Sequence, residues 1–212
     1  MNHRKVFHIL VVLVLAFAGQ LAAPAYASDE AADALIQRQS NEVLDAIKSD
    51  TKIQAGDASR IIALVDAKVM PNVNFKRMTA AAVGPSWRQA NPEQQRRLQD
   101  EFKTLMIRTY AGALAQAIDL SISVKPLRSS ADDQEVVVRT LAKGRGDPIQ
   151  IDYRLEKTPG DGAGWKIFNL NVMGVWLVET YRSQFAQEIS ANGIDGLISA
   201  LSERNKANAK KG

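Results

Sequence analysis

Carboxylates, tyrosines, lysines and serines are the side chains left to this chain for chemistry. Its only two histidines, His3 and His8, lie in an N-terminal segment that is predicted below to be removed, and it contains no cysteine. The processed chain would therefore lack the residues for Ser-His-Asp or Cys-His nucleophilic catalysis and for zinc sites built on His or Cys. It would also lack disulfides, which an exported protein can otherwise form.

The remaining candidates for acid–base or phosphate chemistry have simpler explanations. Asp132 and Asp133 lie in a polar turn, and Asp152 alternates outward on an amphipathic strand, so all three are predicted to be solvated. The glycines of 144–146 and 160–164 are spaced somewhat like phosphate-binding loops. Each stretch joins two predicted strands with no helix following, so we interpret both as hairpin turns.

Two amides interrupt the last predicted strand. Asn169 and Asn171 alternate there with Phe168, Leu170 and Val172. If both faces of that strand are covered, the amides need hydrogen-bond partners or water. We expect them to face solvent.

The first 27 residues have the pattern of a cleaved signal peptide. A basic head at 1–5 precedes an apolar run over 6–18, and Ala25-Tyr26-Ala27 supplies a small-x-small cleavage site. The run is shorter than the roughly 20 residues of a spanning helix, so an integral membrane protein is not expected. Cleavage after Ala27 leaves 185 residues of the 212.

The processed chain is predicted to form a single domain over 28–206, followed by a frayed basic tail at 207–212. It carries 25 basic and 23 acidic side chains, a balance of +2. Such a charge does not favour binding to nucleic acid or other polyanions.

Hydrophobic periodicity predicts an α+β fold with a helical N-terminal region, a four-stranded antiparallel sheet and C-terminal helices. Helices are predicted over 28–49, 56–70, 76–83 and 91–117, strands over 121–127, 135–142, 149–157 and 165–173, and helices again from 175, with a break at 192–193. Short glycine-rich turns between the last three strands favour antiparallel pairing. A helical layer rich in Met and aromatic residues must then face the dry side of the sheet, although periodicity does not distinguish a filled core from a hollow one.

Several motifs in this order resemble those of the periplasmic MlaC family, also called toluene-tolerance Ttg2 auxiliary proteins. They are Val65–Met78, Gly84–Gln94 with Thr109-Tyr110, Trp165–Asn169, Gly174–Val178, Tyr181–Phe185 and Asn192–Ile198, and they cover nearly all of the processed region. The chain departs from the family pattern at Asn74 and Asn169, where Asp is common, and at Trp176, where a small residue is usual.

The resemblance implies a periplasmic carrier that is not an enzyme, needs no cofactor and shuttles phospholipid between outer-membrane and inner-membrane complexes. It implies an apolar cavity between helices and sheet that holds acyl tails. The implied partners are phospholipid, an inner-membrane ABC transporter with its lipid-binding ring protein, and an outer-membrane lipoprotein complex. Arg182 is a candidate for contact with a headgroup or a partner, because the planar guanidinium suits phosphate and carboxylate, although a structural ion pair is the simpler explanation.

Lipid contacts are assigned from the faces that the periodicities define. They are Met70, Phe75, Met78, Val83, Phe102, Met106, Tyr110, Val138, Ile151, Tyr153, Leu170, Val172 and Val175. Two other functions fit the same fold. One is a small-molecule isomerase or hydratase that uses a carboxylate and a Tyr in the pocket, and the other is an adaptor with a solid core.

Overall fold

A curved antiparallel sheet and a set of helices form the two layers of this protein, as seen in a computed structural model that describes residues 30–130 and 132–209. The predicted signal peptide lies outside the described residues. The helices are α1 (Ala32–Ser49), α2 (Thr51–Gln54), α3 (Ala58–Leu64), α4 (Phe75–Val83), α5 (Pro92–Ala115) and α6 (Leu177–Ala209), and the strands are β1 (Ser121–Val124), β2 (Glu135–Lys143), β3 (Ile149–Lys157), β4 (Trp165–Val172) and β5 (Val175–Trp176). The predicted α+β class is confirmed.

Within the described residues the sheet has five strands rather than the four predicted, in the order β1-β2-β3-β4-β5, with every neighbouring pair antiparallel. The additional strand arises because Met173 and Gly174, with φ of 51° and 89°, form a two-residue turn after β4. Positive φ at both turn positions matches the twist of a tight hairpin. Val175 consequently pairs with Val172 instead of beginning a helix. At the other edge, β1 ends at Val124, shortly before Pro126, which has no N–H to donate.

Helix α5 begins at the N-cap residue that the sequence predicts, Asn91. The Asn91 side chain accepts from the backbone N–H of Gln94, and the Gln94 side chain accepts from the N–H of Asn91, with Pro92 at the first helical position. This reciprocal capping satisfies two of the backbone donors that a helix start leaves unpaired. Asn74 caps α4 through a single bond of this kind, in which its Oδ1 accepts from the backbone N–H of Arg77.

Between α3 and α4 the chain departs from a regular helix. Val65–Val69 forms a π-helical segment, and Met70–Asn72 follows as a 3₁₀ turn that contains Pro71. Val73 then forms a bridge to Ile167, which covers part of the β4 edge that β5 leaves free. The regular α-helix therefore ends at Leu64, earlier than predicted, and the 3₁₀ turn runs past the predicted stop at Pro71 to Asn72.

The C-terminal helix α6 is broken at Gly193, whose φ of 70° and ψ of −173° are not helical. The Asn192-Gly193 pair was predicted to end a helix, and the helix does break there before it resumes. It continues to Ala209, so residues 207 to 209, predicted as part of a frayed tail, are helical.

The outward face of the sheet is more covered than predicted, and three expectations of solvent exposure are wrong. Asp152, Asn169 and Asn171 are all buried. Each has partners: Asp152 accepts two bonds from Gln150 Nε2, at 3.0 and 3.2 Å, and Asn171 Oδ1 accepts the N–H of Gly174 at 2.8 Å, which stabilises the turn into β5. The start of α6 covers this end of the face, a tertiary feature that strand alternation does not reveal.

In the described part of the chain, the buried apolar side chains group into three clusters. One joins α4, α5 and α6 and includes Phe102, Tyr181 and Phe185. A second packs α1 on the sheet, and a third joins α1, α2, α3 and α5. The partly buried Val73 and Leu170 pack against both of the first two clusters. No helix of the described chain is long and apolar enough to cross a membrane.

Candidate hydrophobic ligand cavity

A cavity of about 420 Å³ lies between the inward face of the sheet and the helices. This volume is within the range of about 300–1,000 Å³ that is usual for ligand pockets. Its walls are formed by Ile36, Gln39, Ser40, Val43, Leu44, Ile47, Leu64, Val65, Val69, Met70, Val73, Phe75, Met78, Lys103, Met106, Ile107, Tyr110, Ala113, Leu114, Ala117, Leu120, Ile122, Ala142, Ile149, Ile151, Tyr153, Ile167, Leu170, Val172 and Leu177. Most of these side chains are aliphatic or aromatic, so the cavity suits a hydrophobic ligand.

Helix α5 and strand β3 show how local structure forms this wall. On α5 the lining residues Lys103, Met106, Tyr110 and Ala113 follow spacings of three and four, which keeps them on one face of the helix. On β3, Ile149, Ile151 and Tyr153 alternate with outward residues. The two periodicities bring an apolar stripe and an apolar sheet face opposite each other.

Nine of the thirteen residues assigned to lipid contact line the cavity. These are Met70, Phe75, Met78, Met106, Tyr110, Ile151, Tyr153, Leu170 and Val172. The other four do not. Val83 and Phe102 are buried in the α4–α5–α6 cluster, Val138 is buried beneath α1, and Val175 is 53% exposed on β5.

Phe102 shows how a residue of the predicted stripe comes to lie away from the cavity. It lies one turn before Met106 on the same stripe of α5, but its ring meets Tyr181 and Phe185, with centroids 4.9 and 5.2 Å away. Aromatic side chains of α6 therefore occupy the space beside Phe102. Val175 lies outside the cavity for a different reason: it is on the edge strand β5, where its side chain is exposed.

Much of the wall that the sequence reasoning missed comes from α1 and from the π-helical segment. Val43, Leu44 and Ile47 belong to an apolar stripe that the sequence does show, and Val65 and Val69 follow α3. The helical spacing of these apolar residues is visible in the sequence. What it could not reveal is that these stripes line a space instead of meeting other side chains.

A small group of polar side chains interrupts the apolar wall near α1. Burial raises the pKa of the Tyr153 hydroxyl, and hydrogen bonds with Thr140 and Ser40 act in the opposite direction without cancelling it. Gln39 is buried beside this group, and its Oε1 has no hydrogen-bond partner. Burial likewise raises the pKa of Tyr110. Both phenols therefore remain neutral at physiological pH.

Among the described residues that line the cavity, none is Asp or Glu, and Lys103 alone carries a formal charge. Lys103 Nζ donates to Asp66 Oδ1 at 3.0 Å, across from α5 to the π-helical segment. The cavity wall thus offers no carboxylate to act as a general base.

Arg182, the candidate for headgroup or partner contact, does not line the cavity. It is exposed on α6, and its guanidinium packs beside Gly84. A Cβ at Gly84 would lie 3.4 Å from Arg182 Nε, and the φ of +71° there also favours glycine. A contact between Arg182 and a partner stays a prediction.

Fold and cavity together define a two-layer α+β protein with an apolar cavity between its sheet and its helices. The chain belongs to the MlaC family: the family model described as "MlaC protein" matches residues 37–203. The resemblance inferred from the motifs is therefore confirmed.

Individual relatives agree with this assignment. The chain is 25% identical to "Toluene tolerance protein ttg2D" of Pseudomonas putida over 162 residues, which cover 76% of this chain and 74% of the relative. It is 22% identical to "Intermembrane phospholipid transport system binding protein MlaC" of Haemophilus influenzae, over 94% of this chain and 92% of the relative. A solved structure from Ralstonia solanacearum, a phospholipid-binding protein in complex with a phospholipid, is 45% identical, with a TM-score of 0.80, and the match covers 84% of this chain and 98% of that one.

Proposed function

We propose that this protein is a periplasmic phospholipid carrier. It encloses acyl chains in the apolar cavity and shuttles lipid between an outer-membrane lipoprotein complex and an inner-membrane ABC transporter with its lipid-binding ring protein. The observation that carries the proposal is the cavity itself, about 420 Å³ of space with walls that are almost entirely apolar. The relatives from Haemophilus influenzae and Ralstonia solanacearum, named for phospholipid transport and phospholipid binding, support the same ligand class.

The physical reason for such a cavity is the cost of exposing hydrocarbon to water. Each methylene that leaves an apolar environment costs about 0.8 kcal/mol, so a tail of roughly sixteen carbons costs on the order of 13 kcal/mol. A carrier must therefore surround the tail with side chains such as Met106, Leu170 and Val172, which line this cavity. It needs neither a nucleophile nor a cofactor for this task.

The same cost means that a bound tail leaves slowly unless something opens or competes for the cavity. A partner can drive release only if it binds the open or empty form more tightly than the closed, loaded one. We therefore expect the membrane complexes on either side to act as such partners. The signal-peptide pattern of residues 1–27 and the family membership support a periplasmic location.

Lipid analysis tests the proposal directly. The processed protein is purified from cells under mild conditions, and an organic extract is examined by mass spectrometry. We expect close to stoichiometric phospholipid. A protein that comes away empty and cannot be loaded from phospholipid vesicles would not be a carrier.

A matched pair of variants ties loading to the cavity. Val172→Asp places a charge on the cavity wall, whereas Val175→Asp places it on the cross-strand partner of Val172, which is exposed. Both variants change the same hairpin in the same way. The first should abolish loading and the second should leave it near wild type, with thermal unfolding used to show that both fold.

The isomerase or hydratase alternative requires a carboxylate inside the pocket, and the described wall contains none. The adaptor alternative requires a solid core, and the interior is hollow. The carrier is therefore the function that this geometry favours.

A further inference from the structure

We propose that Lys103 is the anion-binding residue of the cavity, and that it holds the anionic group of a bound amphiphile after exchanging it for Asp66. The ligand chemistry is an oxyanion attached to hydrocarbon, either the phosphodiester of a phospholipid or the carboxylate of a fatty acid. The inference rests on the proposed function, because it requires that the cavity holds a hydrocarbon tail.

The position of Lys103 is unlike that of any other described cation. It lines the cavity, and it is the one lining residue in the described chain with a formal charge. Its side chain is also 31% exposed. A lysine can lay its methylenes along an apolar wall while its ammonium reaches water, and Lys103 occupies a boundary of that kind.

Neighbouring residues connect this ammonium to the place where a tail would lie. Met106 and Ile107, three and four residues further along α5, line the cavity, and residues at these spacings share a helix face with Lys103. On the opposite side, Asp66 directly follows Val65, another lining residue of the π-helical segment. An amphiphile carries its charge next to its hydrocarbon, so a tail against these side chains brings its anion close to Lys103.

The present partner of Lys103 is easy to replace. The Lys103–Asp66 pair joins two side chains that are 31% and 44% exposed, at 3.0 Å. Ion pairs this exposed contribute little to stability, because water screens both charges. An incoming oxyanion restores the same kind of contact, and Asp66 is exposed enough to be solvated when it is released. π-helical segments are also frequent at functional sites, because they widen a helix locally.

If a ligand anion replaces Asp66 at Lys103, substitutions of these two residues should change binding in opposite directions. Lys103→Gln removes the cation and should weaken binding of anionic amphiphiles by about fivefold, while binding of an uncharged amphiphile stays the same. Asp66→Asn removes the competing anion and should strengthen binding of the anionic ligands. Lys103→Arg keeps the charge and should retain wild-type preference. Lys76→Gln, on an exposed face of α4 and outside the cavity wall, is the matched control.

Reloading of the delipidated full chain gives the readout. Dioleoylphosphatidylglycerol, oleate and dioleoylglycerol are titrated separately, and the two charged ligands are compared with the uncharged one for each variant. Loss of preference for dioleoylphosphatidylglycerol alone in Lys103→Gln identifies the phosphodiester, and loss for oleate identifies the carboxylate. If Lys103→Gln keeps the wild-type ratios, or if Asp66→Asn weakens anionic binding, the inference is overturned.

The same titrations distinguish failure of the carrier function from failure of the Lys103 inference. If the wild-type protein binds none of the three ligands, the carrier function fails and this inference with it. If the wild type binds them and Lys103→Gln changes nothing, only the inference fails. Asp66→Asn supplies an independent result should Lys103→Gln not fold.

Discussion

The side-chain amide of Asn169 donates from Nδ2 to Oε2 of Glu179 at 2.8 Å, and this bond joins the middle of β4 to the first turn of α6. The other carboxylate oxygen of Glu179 accepts from Arg154 Nη1 at 2.7 Å. Asn169 Oδ1 also accepts the backbone N–H of Val178 at 3.2 Å. These contacts fix the direction in which α6 leaves the sheet, and therefore the place of Leu177 in the cavity wall.

This network predicts a dependence of stability on pH. Burial alone would raise the pKa of Glu179, but hydrogen bonds from Asn169 and Arg154 outweigh it, so the pKa lies below its ordinary value. A carboxyl with a lowered folded pKa stabilises the fold above its unfolded pKa of about 4.3, and this contribution disappears as pH falls through the folded pKa. Glu179→Gln should therefore lose less stability than wild type on acidification below about pH 5. Thermal unfolding measured across that range tests this, and parallel curves for the two proteins would contradict it.

Phe102 and Met106 provide a comparison between core and cavity on a single helix. Phe102 is 1% exposed and packs against three aromatic rings, whereas Met106 is only partly buried and borders empty space. Phe102→Ala should lower the free energy of unfolding by about 3–5 kcal/mol, the usual cost of emptying a packed aromatic site. Met106→Ala should cost clearly less, because it removes fewer contacts. Urea unfolding of the empty protein compares the two, and equal losses would mean that Phe102 is not core.

Gln39 predicts a stabilising substitution. Its Oε1 is buried without a partner, and a buried polar atom in that state costs about 1–3 kcal/mol. Gln39→Met keeps the length of the side chain and should raise the free energy of unfolding. Gln95→Met is the control, because Gln95 Nε2 donates to the carbonyls of Trp87 and Ala90 and its loss should destabilise. The opposite order of the two variants would show that Gln39 is satisfied.

Substitution of two glycines by alanine should change the free energy of unfolding in opposite directions. Gly112 lies within α5, and a Cβ there would meet nothing within 4 Å. Gly112→Ala should therefore stabilise the protein by about 0.5–1 kcal/mol. Gly174, with its φ of +89°, forms the turn before β5, and Gly174→Ala should destabilise by about 1 kcal/mol or more. Chemical denaturation measures both changes, and a loss of stability in Gly112→Ala would mean that α5 is strained there.

Periodicity was sufficient for the class of fold but not for its smallest elements. The strong capping pattern at Asn91 and the apolar residues along β3 specified a helix start and a strand locally, and the bounds of β3 agree with the prediction. Strand β5 has only two residues, which is too short for any period to appear. It depends on the turn at Met173, where positive φ is unusual for a residue other than glycine.

The cavity was predicted only in outline, because the hollow depends on how far apart the elements lie. Phe102 and Met106 belong to one stripe, and only the approach of α6 separates a core residue from a lining residue. The burial of Asn169 likewise depends on Glu179, ten residues away in sequence and in another element. Such distances are properties of the assembled layers, and no local pattern encodes them.

The simple order of the strands has a consequence for how the chain folds. Every pairing in the described sheet joins strands that are consecutive in the chain, so each closes a short loop at a small cost in entropy. The sheet can consequently form one hairpin after another, without a crossover and without oxidation, because the sequence has no cysteine. The contacts that α1 makes with β1 and β2 span far more of the chain and should form later. We therefore expect the cavity to close late in folding, when an acyl chain that is already present could be enclosed as the helices pack.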